Sequence, residues 1–154
     1  MSDLLPDAGP LVVHGALFVS AFLSATLLPG SSEALLVALI LKGGLDPMLL
    51  VLIATVGNTL GSLFNWACGR WLMHRSDARW FPVSERHLAR SRRWFQRFGL
   101  PSLLLAWVPV VGDALTLVAG LLGVRWAPFL ALVGLGKLAR YGVVAATALG
   151  VLSL

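Results

Sequence analysis

SATLLPGSSEALLVALIL, residues 24–41, and AWVPVVGDALTLVAG, residues 106–120, decide the fold. In each, an apolar run breaks at a proline, Pro29 or Pro109, and a carboxylate, Glu33 or Asp113, follows four residues later. Proline removes a backbone donor and an ionised side chain is costly in hydrocarbon, so both breaks mark candidate sites in segments otherwise fit for lipid. After each acid, apolar residues resume, a short polar turn leads to a proline (Pro47 or Pro128), and a long apolar segment follows. Two copies of one unit, offset by about eighty residues, predict an internal repeat.

Composition sets the solvent. The chain is 58% hydrophobic and 12% charged, whereas a soluble domain is about a quarter charged. Its mean hydropathy is +0.86. An integral membrane protein is expected, and 154 residues make one membrane domain with few spanning helices of about twenty residues each. The acidic opening with Asp3 and Asp7 lacks the basic flank of a signal peptide, so the first apolar run is expected to be retained. Cys68 is the sole cysteine and reads as packing. His14, His74 and His87 have no metal-ligand spacing, and neither a metal nor another cofactor is expected.

The net charge of +5 is concentrated, because eight of the twelve basic residues are arginines between Arg70 and Arg97. Such a cluster joining two membrane segments is a cytoplasmic loop by the positive-inside rule, with membrane lipid rather than nucleic acid as its partner. Within it, a basic amphipathic helix is predicted from Ser84. Leu88, Phe95 and Phe98 share one face, Arg86, Arg90, Arg93 and Arg97 point to water or headgroups, and Trp80, Phe81 and Trp94 suit the boundary.

The expected architecture is all-α, with two inverted repeats, about 11–73 and 99–154, around a loop of about 74–98. Each repeat is a re-entrant hairpin plus a full transmembrane helix. Residues 33–41 rise only about 14 Å against a hydrocarbon core of about 30 Å, hence the re-entrant reading. Val12 to Leu28 also fits a full crossing followed by a return, which leaves the parity unchanged. The second hairpin enters over 100–111, turns at 111–114 and leaves over 115–124. Full helices are predicted over 47–73 and 128–154. A re-entrant piece changes no side and a spanning helix changes it once, so the second repeat is inverted and both termini are periplasmic if the arginine loop is cytoplasmic.

Inverted hairpins bring their tips together near the midplane, placing Glu33 and Asp113 in one cavity. Carboxylates held away from bulk water can exchange protons near neutral pH, which makes this pair the proton-coupling candidates. Each could instead cap the half-helix that follows it. Lys137 and Arg140, with Tyr141 beside them, lie in the last apolar segment. They either neutralise the acids or receive an anionic substrate, for which arginine offers a planar fork. On the first full helix Thr55, Asn58, Ser62, Asn65 and Gly69 form one face. Asn58 and Asn65 either bond between helices or line a polar path, and Arg70 near the helix end reads as an anchor or headgroup contact. Gly57 and Gly61 admit a close neighbour, and Gly142, Ala146 and Gly150 form a second small-residue stripe, suited to intrachain packing or to a homodimer.

Three stretches, residues 24–41, ATVGNTLGSLFNWACGR (54–70) and FGLPSLLLAWVPVVGDALTLVAG (98–120), together resemble the DedA superfamily, also called VTT or SNARE-associated membrane proteins, and its short YqaA-like branch. Pro29, Gly30 and Glu33 match the first tip; Gly57, Gly61, Gly69 and Arg70 match the glycine-rich helix; Pro109, Ala119 and Gly120 match the second hairpin. Gly112 follows the second break. The wider family usually has arginines before and after the second proline, where this chain has Ala106 and Gly112. The resemblance implies a bacterial inner-membrane lipid transporter or flippase, with proton-driven polyprenyl-phosphate recycling in several members, and a lipid phosphate as substrate provided that Lys137 and Arg140 stand in for the missing arginines. A non-transporting scaffold is the rival expectation. An enzyme is not expected, since no nucleophile, histidine and acid constellation appears.

Overall fold

Helix starts in this chain are set by proline, glycine and one aspartate. The computed structural model describes residues 9–26, 30–72, 85–108 and 111–152. Helix α1 (Pro10–Ser24) opens on a proline, whose missing N–H would have had no intrahelical partner there. Helix α2 (Ser31–Lys42) starts after Gly30, whose φ of +92° suits a residue without a side chain, and it places Glu33 in its first turn and Lys42 in its last. Helix α3 (Pro47–Leu72) is capped by Asp46, whose carboxylate accepts the Met48 N–H at 2.9 Å. The basic helix α4 spans Glu85–Phe98. A 3-10 segment, Leu100–Trp107, then leads to α5 (Val111–Leu121) and α6 (Trp126–Leu152).

Three boundaries differ from the sequence expectation. The α1 helix ends at Ser24, short of residue 28. The entry into the second break is a tight 3-10 coil, begun at Gly99 and Pro101, with Ser102 Oγ donating to the Gly99 carbonyl at 2.6 Å. Residues 111–114 are already helical, so Asp113 sits in the first turn of α5. In addition, α6 starts two residues before Pro128, which the free N–H groups of a first turn allow. The expectations at Pro29, Pro109, Met73, Trp80, Phe81, Ser84 and the Leu88 side chain lie outside the described residues.

Among the described residues, two helices, α3 and α6, are long and apolar enough to cross a membrane. They run antiparallel. The first half of α3 (Leu50, Val51, Ala54) packs with the last half of α6 (Tyr141, Ala145, Ala148) in one core. The second half of α3 (Leu63, Trp66) meets the first half of α6 (Phe129, Val133) in another. The outward face of α3 shows Leu52, Val56, Leu60 and Phe64 at helical spacing, all exposed, as a lipid-facing stripe requires.

Glycines set the closest helix contacts. A Cβ on Gly57 would stand 2.6 Å from the Phe18 carbonyl oxygen, and one on Gly61 would press on the Phe22 carbonyl, so the predicted small pair seats α1 on α3. Gly69 and Gly120 do the same between α3 and α5, against the Leu117 and Trp66 carbonyls respectively. The Trp66 indole adds a bond to the Val124 carbonyl at 3.0 Å. On the other stripe there is more room: among the described residues a Cβ on Gly142 or Gly150 would meet nothing within 4 Å.

Candidate functional site

A helix that ends inside a membrane leaves carbonyls that something must satisfy. At the end of α1 two amides do so: Asn58 Nδ2 donates to the Ala21 carbonyl at 3.0 Å and Asn65 Nδ2 to the Ala25 carbonyl at 2.8 Å. At the end of the 3-10 segment an arginine takes that role, Arg140 donating to the Trp107 carbonyl at 2.6 Å. Both asparagines therefore bond between helices, and Asn58 does more. Its carbonyl oxygens, side-chain and main-chain, both accept from Lys137 Nζ, the latter at 3.1 Å.

Around this point the two acids converge. Each is the third residue of its helix, α2 or α5, where the helix dipole favours negative charge. The Glu33 carboxylate pairs with Arg140, whose guanidinium thereby bridges α2 and the 3-10 segment. Asp113 has Lys137 and Arg140 as charged neighbours, but among the described residues its carboxylate makes no direct ion pair or hydrogen bond. Beside Glu33, Ser32 and Tyr141 share a buried 2.7 Å hydrogen bond that ties α2 to α6. The Lys137 side chain is almost fully buried.

Gly30, Asn58, Asp113, Lys137 and Arg140 line a polar cavity of about 10 Å³, with Ser24, Ala25, Ala106 and Val108 completing it. That is room for about one water, and not for a headgroup. Gly112 is buried and lets the chain close here, since a Cβ on it would strike the Ala106 carbonyl. Ala106 and Gly112, the two small residues on either side of the second break, thus approach each other closely at its tip.

Not every candidate joins this cluster. Asn65 lies below it on the α1 end, and Arg70 is exposed at the far end of α3, its guanidinium beside Gly123. Pro29 and Pro109 lie outside the described residues. Sequence reasoning missed Ser32, for which adjacency to Glu33 was the available signal. It also missed the Trp107 carbonyl, for which a main-chain atom gives none.

The VTT domain matches residues 28–148. The chain is 47% identical over 131 residues to inner membrane protein YqaA of Escherichia coli (strain K12), covering 85% of this chain and 87% of that protein. It is 43% identical over 132 residues to an uncharacterized protein of Haemophilus influenzae, covering 81% and 80%. No solved structure matches it. A domain match and relatives spanning most of the chain, on an all-helical scaffold with two membrane-length helices, agree with the residues that carry the resemblance: the chain belongs to the VTT-domain, or DedA, family of membrane proteins.

Proposed function

We propose that the chain is an inner-membrane transporter or flippase for a lipid or amphiphilic anion, coupled to protons through the Glu33–Asp113 site, with no enzymatic step. The observation that carries this reading is that Asp113, Lys137 and Arg140 line one small polar cavity with Asn58 of the other half, while Glu33, outside the cavity lining, pairs with Arg140. Intramembrane ionisable groups placed together mark a pathway more often than a scaffold.

The packing supports two inverted repeats. Helix α1 packs on α3 and the 3-10 segment on α6 within their own halves, whereas α2 leans on α6 and α5 on α3 across the halves, and α3 and α6 cross antiparallel. Helices α1 and α2, the 3-10 segment and α5 are about 22, 18, 16 and 17 Å long, each short of a core of about 30 Å, which favours re-entrant hairpins. The 79-residue shift that relates Asn58 to Lys137 also carries Gly57 onto Gly136 and Gly61 onto Arg140. Transport would follow from one repeat rocking against the other, opening a site that is shut here. The arginine-rich end is read as cytoplasmic and both termini as periplasmic. Arg70 beside Gly123, with Arg125 two residues on, gathers positive charge at one end.

The two acids, offset by eighty residues, have different surroundings. Glu33 pairs with Arg140, whereas the Asp113 carboxylate makes no direct ion pair or hydrogen bond among the described residues. Asp113 is therefore the carboxylate available to a proton, and Glu33 is committed to the Arg140 bridge. One observation favours the scaffold reading: the cations are already bonded and the cavity is tiny. Proteoliposomes carrying a fluorescent polyprenyl phosphate separate the two. Probe movement driven by a pH gradient and lost in Asp113→Asn supports transport; movement no faster than in protein-free vesicles, at every pH, leaves the scaffold.

A further inference from the structure

Arg140 lines two cavities. One is the closed polar cavity at the helix tips; the other is a groove of about 630 Å³ between the 3-10 segment and α6, open on the outer surface. The groove is walled by Leu104 and Trp107 on one side and by Leu135, Ala139 and Val143 on the other, with Arg140 its sole charged residue among the described residues. Leu135 and Val143 are 60% and 64% exposed, so the groove faces the lipid. Its size is that of ordinary ligand pockets, about 300–1,000 Å³.

A sequence difference explains why the groove exists on this seam. Where α1 meets α3, Gly57 and Gly61 sit one helical turn apart and both bring the backbones together. The corresponding seam has Gly136, with a Cβ position 2.8 Å from the Leu104 carbonyl oxygen, but Arg140 in place of the second glycine. A long side chain there keeps the helices apart beyond Gly136 and reaches inward to Glu33 and the Trp107 carbonyl.

We infer that this groove is a lateral entry site for a hydrocarbon chain of an anionic amphiphile, with Arg140 as the gate that receives its headgroup from the bilayer side. This rests on the reading of the chain as a transporter of such molecules and adds the route. The occupant follows from the wall: apolar side chains take a chain already dissolved in lipid at no desolvation cost, and the lone guanidinium selects negative charge. To move from groove to cavity, the headgroup must replace the Glu33 carboxylate and the Trp107 carbonyl on Arg140. The gate thus opens by exchange of one set of acceptors for another, and the cation stays hydrogen-bonded throughout.

The test is photolabelling of the full-length protein in phosphatidylcholine nanodiscs, with a phosphatidic acid carrying a diazirine on one acyl chain and the matching diacylglycerol as neutral control. Adducts mapped by peptide mass spectrometry should be enriched about tenfold on Trp107, Ala139 and Val143 over the outward face of α3 at Leu52, Val56 and Phe64, for the acid only; that ratio corresponds to about 1.4 kcal/mol of preference. Ala139→Trp, which fills the groove from an exposed position, and Arg140→Gln should each reduce the enrichment to the neutral level. Val143→Trp repeats the block should Ala139→Trp fail to fold. Equal labelling of groove and α3, equal enrichment by diacylglycerol, or enrichment that survives both tryptophans overturns the inference. Enrichment without transport in proteoliposomes refutes the transporter reading and leaves the groove site standing; transport unaffected by a folded tryptophan block, without enrichment, does the reverse.

Discussion

Glu33→Gln and Asp113→Asn look equivalent in sequence and should differ in consequence. Glu33 pairs with Arg140, the two side chains being 26% and 21% exposed. Removing one partner of a fully buried pair costs about 3–5 kcal/mol. The partial exposure here relaxes that, so Glu33→Gln should cost about 2 kcal/mol. Arg140→Gln should cost about 1 kcal/mol more, because the Trp107 carbonyl also loses its donor. Asp113 has no direct partner among the described residues, and Asp113→Asn should change stability by less than about 1 kcal/mol in either direction. Equilibrium unfolding in mixed dodecyl maltoside and dodecyl sulfate micelles, followed by circular dichroism, measures all three. The double variant Glu33→Gln with Arg140→Gln should cost no more than Arg140→Gln alone, since the pair is lost only once. Equal costs for the two acid variants, or additive costs in the double variant, would refute the asymmetric pairing.

The glycine contacts predict a graded series. Gly69→Ala and Gly120→Ala push a methyl into a backbone carbonyl and should each destabilise by about 3 kcal/mol, whereas Gly142→Ala, with open space around it, should be neutral or slightly stabilising in the same unfolding assay. Ser32→Ala and Tyr141→Phe should each cost about 1 kcal/mol, and the double variant little more than either, because they remove one buried hydrogen bond. For topology, Lys42→Cys and Gln96→Cys in a Cys68→Ala background are exposed reporters. An impermeant maleimide added to intact cells should label the first and not the second, and the opposite pattern reverses the assignment.

The sequence made the helices legible because membrane segments must satisfy their own backbone, so apolar length and proline position bound each element closely. It placed α3 and α6 within two residues at their starts. The polar face of α3 was also readable from spacing. What spacing could not supply was the partner of each polar group. Spacing leaves Asn65 either bonding between helices or lining a path; it bonds between helices, to a carbonyl at the end of α1, and a main-chain acceptor has no signature among side chains. The 3-10 segment was read as an ordinary entering helix because Leu100–Trp107 is apolar throughout, and apolar content does not distinguish one coil from another. Lys137 and Arg140 were given a choice between neutralising acids and binding substrate. The structure divides the work differently, with Arg140 on Glu33 and Lys137 on Asn58.

On the proposed inverted repeat, that division follows from how a duplicated backbone is decorated. Two copies related by inversion place like positions opposite each other, so a polar residue in one half tends to face its counterpart's neighbourhood in the other. Asn58 and Lys137 occupy matching positions and bond to each other at the crossing of α3 and α6. Glu33 and Asp113, eighty residues apart, are surrounded unequally: Glu33 pairs directly with Arg140, and Asp113 has Lys137 and Arg140 nearby without a direct bond to either among the described residues. Substituting an arginine for a glycine at one of two like positions ties down one acid, leaves the other without a direct partner among the described residues, and opens a groove on one seam where its counterpart is closed. A symmetric site would treat the two sides of the membrane alike. On the transporter reading, the unequal site divides the work between a fixed Glu33–Arg140 pair that ties the two halves together and an Asp113 carboxylate left to the transported proton, while the direction of net movement is set by the gradients across the membrane.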